Sequence, residues 1–210
     1  MKIEAAIILE DWVDLEGVMA TGRSDGSLHG MKVAILATDG VEQSELAVPR
    51  QALEEAGAKT TLLAPKSGKI QAMKHDEKVE QFTVDALLDW AKPDDYDAVL
   101  LPGGALNADA LRMESAAREF VKKIDHAGKP IAVICHAPWL LISADLVKGR
   151  KLTSYHTIQD DLRNAGAEWA DQSVVREGNW VSSRQPSDIP TFNREVIRLF
   201  GETGKNKKAA

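Results

Sequence analysis

Cys135 is the one cysteine in this chain, and it closes the apolar run Lys129-Pro-Ile-Ala-Val-Ile-Cys directly before His136. The thiolate is the nucleophilic form of cysteine, so local surroundings decide whether such a residue does chemistry. Ile131 to Ile134 reads as a short buried strand and Ala137 to Val147 as a helix, which sets the thiol on the turn between them. A side chain there projects from the carboxyl edge of a sheet above a helix start, where unpaired N–H groups and the helix dipole favour negative charge. The competing role is packing, because free cysteine is among the most buried residue types.

Attack on a carbonyl needs a thiolate, a proton carrier and donors for the oxyanion that develops. The backbone N–H groups of Gly104, in Pro102-Gly-Gly, and of His136 are the candidate donors, since glycine lets the backbone approach a ligand closely. Glu42 and Glu45 bracket the start of the first helix, where negative charge is favourable for the helix alone. A carboxyl partly buried at the cysteine edge would also have its pKa raised, and could bond the sulfur or carry a proton. His136, acting as a base, would need an acid on its other nitrogen; Asp109, in the loop after Pro102-Gly-Gly, is the candidate, its alternative being a solvated helix-start residue. Tyr155 and His156 are candidate pocket-lining residues. His75 could approach the site without any spacing argument to place it.

These groups need elements to hold them. Lys32 to Thr38 has a buried-strand pattern, Asp39-Gly-Val-Glu-Gln-Ser-Glu is a polar turn, and Ser44 to Ala56 is a helix stopped by Gly57. Strands at 59–64 and 97–101 follow, with short strands near 70–73 and 79–83 and a helix over 84–91 between them. A helix at 116–127, the cysteine strand, a short strand at 151–154, a helix at 158–165, a hairpin through Gly178-Asn179 and a helix at 189–200 complete the order. Strands alternating with helices imply parallel crossovers and an α/β, doubly wound, mostly parallel sheet sandwiched by helices. Ligands of such sheets bind beyond the carboxyl ends of the strands, where all three chemistry-bearing loops fall.

The 26 basic and 32 acidic residues give a net charge of -6, and without a basic stripe nucleic acid is not an expected partner. No apolar stretch approaches the roughly 20 residues of a membrane span, so no membrane partner is expected either. One cysteine excludes an intramolecular disulfide and offers no Cys-rich metal frame, which suits the cytoplasm. No Gly-x-Gly-x-x-Gly or phosphate-cradling loop is present, and neither metal nor cofactor is expected. Residues 1–30 read as an N-terminal extension ending in a turn-rich linker, with the fold expected to begin at Met31. The domain covers 31–201, and 202–210 reads as a basic C-terminal tail.

With Asp39-Gly-Val-Glu-Gln-Ser-Glu-Leu, Leu101-Pro-Gly-Gly, Ala132-Val-Ile-Cys-His-Ala-Pro, Gly149-Arg-Lys-Leu-Thr-Ser and Asn164-Ala-Gly-Ala-Glu-Trp in this order, the chain resembles the ThiJ/PfpI family. Its place would be in the PfpI-type branch of the class I glutamine amidotransferase-like superfamily. The resemblance implies a flavodoxin-like sandwich with Cys135 on a nucleophile elbow, Glu45 contacting the cysteine with Glu42 close by, and Gly104 at the oxyanion position. It also implies a homodimer or higher homo-oligomer in which a partner supplies an acid to His136, Asp109 being the nearest match. Activities implied are glutathione-independent glyoxalase or deglycase chemistry on small aldehydes (methylglyoxal to lactate), intracellular cysteine peptidase activity on peptides, or a redox-sensing stress chaperone role.

Overall fold

The computed structural model describes residues 28–208, with side chains through Thr203; the extension expected over 1–30 thus lies outside the described residues except for its last three. Strand β1 (Lys32–Leu36) carries four consecutive buried apolar residues after its lysine, the pattern of a strand covered on both faces. It is an interior strand of a seven-stranded sheet. Parallel neighbours on one side are β3 (Lys59–Ala64) and the short edge strand β6 (Ala86–Leu87). On the other side lie β7 (Ala98–Leu101), β8 (Ile131–Ile134) and β12 (Trp180–Ser183), all parallel, and then β11 (Val174–Glu177), antiparallel to β12.

The period of two along each strand builds two cores. Val33 and Ile35 of β1, with Ala132 and Ile134 of β8, face the helices α1 (Gln43–Glu55) and α6 (Ile189–Lys208) through Leu46, Leu53, Phe192 and Phe200. Ala34, Leu36, Ile131 and Val133 face the opposite layer, formed by α2 (Ala105–Met113), α3 (Ser115–His126), α4 (Pro138–Ser143) and α5 (Gln159–Asn164), which contribute Leu111, Phe120, Leu140 and Leu162. A two-residue strand β2 (Val41–Glu42) extends a hairpin made of β4 (Lys69–Lys74) and β5 (Glu77–Thr83). Strands β9 (Lys151–Leu152) and β10 (Glu168–Trp169) form a small parallel pair. The doubly wound, mostly parallel α/β sandwich is therefore the observed architecture.

Three expectations need correction. Residues 84–91 do not form a helix: Asp85 Oδ2 accepts the Leu62 N–H at 2.7 Å while the Asp85 N–H bonds Leu62 O at 2.9 Å, which holds the segment as edge strand β6 followed by a 3-10 turn at Leu88–Trp90. The segment after Pro102-Gly-Gly is not a loop but helix α2, so Asp109 sits in the middle of a helix. Leu28, just ahead of the expected boundary at Met31, is buried in the core, and its N–H bonds Ala56 O at 3.0 Å. Finally, the segment read as a tail continues α6 as far as Lys208. Among the described residues no helix is long and apolar enough to cross a membrane.

Candidate active site

Strand β8 ends at Ile134 and α4 begins at Pro138, so the chain must reverse within three residues. It does so through a left-handed Cys135 with φ +64°, a conformation a non-glycine residue holds only when its surroundings enforce it. The enforcement is visible: the Cys135 N–H bonds Ser183 O at 3.1 Å on β12, and the Tyr155 N–H bonds Cys135 O at 3.0 Å. This is a nucleophile elbow, with the side chain lifted above the sheet edge. Only 7% of Cys135 is exposed, at the bottom of a pocket of ≈ 430 Å³ that Glu42, Glu45, Gly104 and Tyr155 also line.

Glu45 lies in the first turn of α1 and is wholly buried. Its Oε2 accepts the Gly103 N–H at 3.0 Å, while Oε1 has no partner of ordinary hydrogen-bond geometry. Burial pushes the pKa of this carboxyl up to about 8, the neighbouring charge of Glu42 adds to the rise, and interactions with the Cys135 thiol and the Gly103 N–H oppose it. At neutral pH Glu45 therefore carries a proton. Burial also raises the Cys135 thiol, and an ionised Glu45 raises it further; the N–H groups of Gly104 and His136 act in the other direction by bonding the sulfur. Cysteine and glutamate titrate as a coupled pair. While the proton resides on Glu45, the carboxylate charge opposing a thiolate is absent.

Both backbone donors expected from the sequence thus converge on the sulfur. His136 is closer than adjacency in sequence suggests, with Nδ1 3.2 Å from Cys135 Sγ. Its Nε2 lies 3.2 Å from Thr157 Oγ1, and burial, with the charge of His156, holds the imidazole below its usual pKa and hence neutral. Asp109 does not reach it within one chain: that side chain is exposed on α2 and makes no hydrogen bond or ion pair with the described residues. Tyr155 lines the pocket with its ring 5.0 Å from that of His136. His156 is exposed behind it, 4.5 Å from the Tyr155 ring, and does not line the pocket. Glu42 Oε2 accepts the His75 N–H at 3.0 Å, which fixes the pocket rim to the β4–β5 turn.

Several functional positions carried no signal that sequence reading used. Asn107, fully buried on α2, accepts the Thr38 N–H at 2.7 Å and donates to Pro102 O at 3.0 Å and Gly103 O at 2.9 Å. It ties the loop after β1 to the loop after β7. Gly103 must lack a side chain, because a Cβ there would run into the Glu45 carboxyl and lie 2.6 Å from Cys135 Cβ. Met73, Gln185 and Ser187 complete the pocket wall; they come from the hairpin and the β12–α6 connection, which the sequence does not tie to the cysteine.

Fold and site together define a flavodoxin-like α/β protein with its cysteine on a nucleophile elbow. Residues 31–199 match the DJ-1/PfpI family, and the chain belongs to it. A deglycase of Thermococcus kodakarensis is 46% identical over 170 residues, covering 81% of this chain and 99% of that protein. Protein/nucleic acid deglycase 2 of Escherichia coli is 42% identical over 171 residues, covering 81% and 98%. Among solved structures, Drosophila melanogaster DJ-1beta superposes with a TM-score of 0.73 at 25% identity, covering 86% of this chain and 98% of that one.

Proposed function

We propose that the protein is a cysteine-dependent enzyme of deglycase type that acts on small reactive carbonyls, with conversion of a 2-oxoaldehyde such as methylglyoxal to the 2-hydroxy acid as its elementary reaction. The observation that carries this reading is the Cys135–Glu45 pair on the pocket floor, a nucleophile beside a carboxyl that holds its proton to about pH 8. Sulfur adds to the aldehyde carbon; the thiol proton passes to His136 Nδ1, 3.2 Å away, and on to the adduct oxygen. The Gly104 and His136 N–H groups stabilise that oxygen as charge develops. The C1 proton then moves to C2 by way of His136, while Glu45 gives a proton to the C2 oxygen and takes one back from the C1 hydroxyl, giving a 2-hydroxyacyl thioester. Water adds to the acyl carbon, the C–S bond breaks, and lactate and the thiol are released. The deglycase names of the relatives support the deglycase-type reading.

A pocket of ≈ 430 Å³ suits a small molecule better than an extended peptide. A homo-oligomer belongs to the same proposal. Leu106, Asp109, Ala110 and Met113 share one exposed face of α2, with Leu106 66% and Met113 74% exposed; a second copy covering that apolar face would bring Asp109 into an interface. The decisive experiment follows lactate formed from methylglyoxal by the wild type and by Cys135→Ala. Lactate from the wild type alone is expected; equal rates in the two proteins, or none in either, would sink the proposal.

A further inference from the structure

Gly40, Met73 and Leu106 line the catalytic pocket and also a second pocket of ≈ 420 Å³, so the two adjoin across these residues. The hairpin's alternation explains what fills the second wall. Ile70 and Ala72 of β4 point into the core, which turns Lys69, Gln71 and Met73 to the other face. The register sets Gln81 opposite Gln71 and Lys78 opposite Met73, so Lys78 shares that face. Lys66, just after β3, brings a third ammonium.

Among the residues lining this annex, three lysines meet one carboxylate, Asp39. That carboxylate is already engaged: Oδ2 accepts from Lys66 Nζ, and Oδ1 accepts the Gln71 N–H at 2.8 Å. Its pKa is lowered because Lys66, the Gln71 N–H and the charge of Lys78 together outweigh burial. Lys69 and Lys78 make no hydrogen bond or ion pair with the described residues. Glu80, on the same hairpin, accepts a hydrogen bond from Gln43 Nε2 at 2.6 Å. A cluster of like charges is unfavourable unless something neutralises it, and here it stands in a chain whose net charge is -6. A concave surface with excess positive charge concentrates anions.

We infer that this annex is an anion subsite: it holds a carboxylate or phosphate at the far end of a dicarbonyl substrate whose aldehyde stands at Cys135. The inference rests on the proposed carbonyl chemistry for the identity of the reacting end, and on the lysines for the other. The substrate class is accordingly a 2-oxoaldehyde with an anionic tail that crosses the Gly40–Met73–Leu106 threshold. Neutral methylglyoxal would use only half of the combined site.

Turnover of 4,5-dioxopentanoate, a 2-oxoaldehyde ending in a carboxylate, is compared with that of its neutral counterpart 2-oxopentanal. The wild type is expected to favour the acid by about tenfold in kcat/KM, the scale of two partly exposed charge pairs. In Lys69→Gln/Lys78→Gln the ratio of the two constants is expected to fall towards one. A non-reacting probe separates this inference from the function it builds on. Levulinate, the same acid without the aldehyde, is titrated calorimetrically into both proteins, with inorganic phosphate in parallel. Binding of either anion should weaken by at least about fivefold in the double variant, and the tighter of the two identifies the anionic group preferred. Lysine-dependent binding without turnover of either dicarbonyl would leave the subsite standing and remove the proposed reaction. Equal anion binding in the two proteins, with a kcat/KM ratio near one in both, would overturn the subsite.

Discussion

The chemistry of the site turns on where one proton resides. Glu45 has its pKa raised to about 8 by burial, so between pH 4.5 and 8 it is protonated in the folded protein and ionised in the unfolded chain. The unfolded state binds fewer protons across that window, and stability therefore falls as pH rises through it. The full contribution, on the order of 5 kcal/mol, is lost above about pH 8. Glu45→Gln, which keeps the shape and cannot ionise, should flatten the profile and be the more stable protein at pH 9, as read by urea denaturation at pH 5, 7 and 9. The same variant should lose at least about a hundredfold in kcat, the scale of a missing acid–base group. Wild-type kcat/KM should decline as pH rises through about 8, where the Glu45 proton departs. A wild-type stability profile as flat as that of the variant would contradict a buried, protonated Glu45. The sequence pointed to Glu45 through its place at a helix start after the first strand. It could not show that His136 Nδ1 stands 3.2 Å from the sulfur, since this depends on a left-handed backbone at Cys135 that no residue type announces.

At the scale of elements, two loops are held in register by α2, a helix that the sequence pattern does not announce. Gly104 and the small residues after it carry little periodic signal, and the helix draws its stability from packing and from Asn107. Removing that side chain in Asn107→Ala would leave the Thr38 N–H and the Pro102 carbonyl without their partner in a buried setting, while Gly103 O would keep only the Glu42 N–H at 3.3 Å. A loss of roughly 2–4 kcal/mol is expected in chemical denaturation, together with a drop in kcat larger than any change in KM, because the Gly104 donor shifts with its loop. Gly103→Ala tests the same junction from the other side. Its Cβ would meet the Glu45 carboxyl and come within 2.9 Å of Ile134 O, so about 1–3 kcal/mol of destabilisation should accompany loss of activity. Full activity in Gly103→Ala would show that Glu45 need not stay where it is. The strands were more legible than α2: Val33 to Leu36 and Ile131 to Ile134 are continuous apolar runs, which only a sheet buried on both faces explains economically. The segment at 84–91 departs from its helical pattern because Asp85 bonds both to and from Leu62 across 23 residues, a tertiary pairing that overrides the local pattern.

For the whole molecule, the mostly parallel sheet and the placement of the three loops at its carboxyl edge follow from the alternation of elements, and both were legible. What the chain meets in solution was not, because one sequence lists the residues of a surface without saying which are covered. Trp90, Leu106 and Met113 are the exposed large apolar side chains among the described residues, and the proposed assembly uses the two on α2, which share a face with Asp109. Two large apolar side chains at that exposure are costly to leave in water, roughly 1.5–3 kcal/mol each when fully buried instead, and they flank the acid that the family resemblance assigns to a neighbouring subunit. Met113 does not line the pocket, so Met113→Glu places a charge on the face without altering the catalytic wall. Sedimentation velocity should show wild type above the 22.9 kDa of one chain and the variant shifted to that mass. Activity should fall together with assembly if Asp109 of one copy orients His136 of another, and Asp109→Asn should then lower kcat without changing the sedimenting mass. A wild type that sediments as a single chain and remains active would remove the assembly from the proposal and leave His136 to act with Thr157 alone.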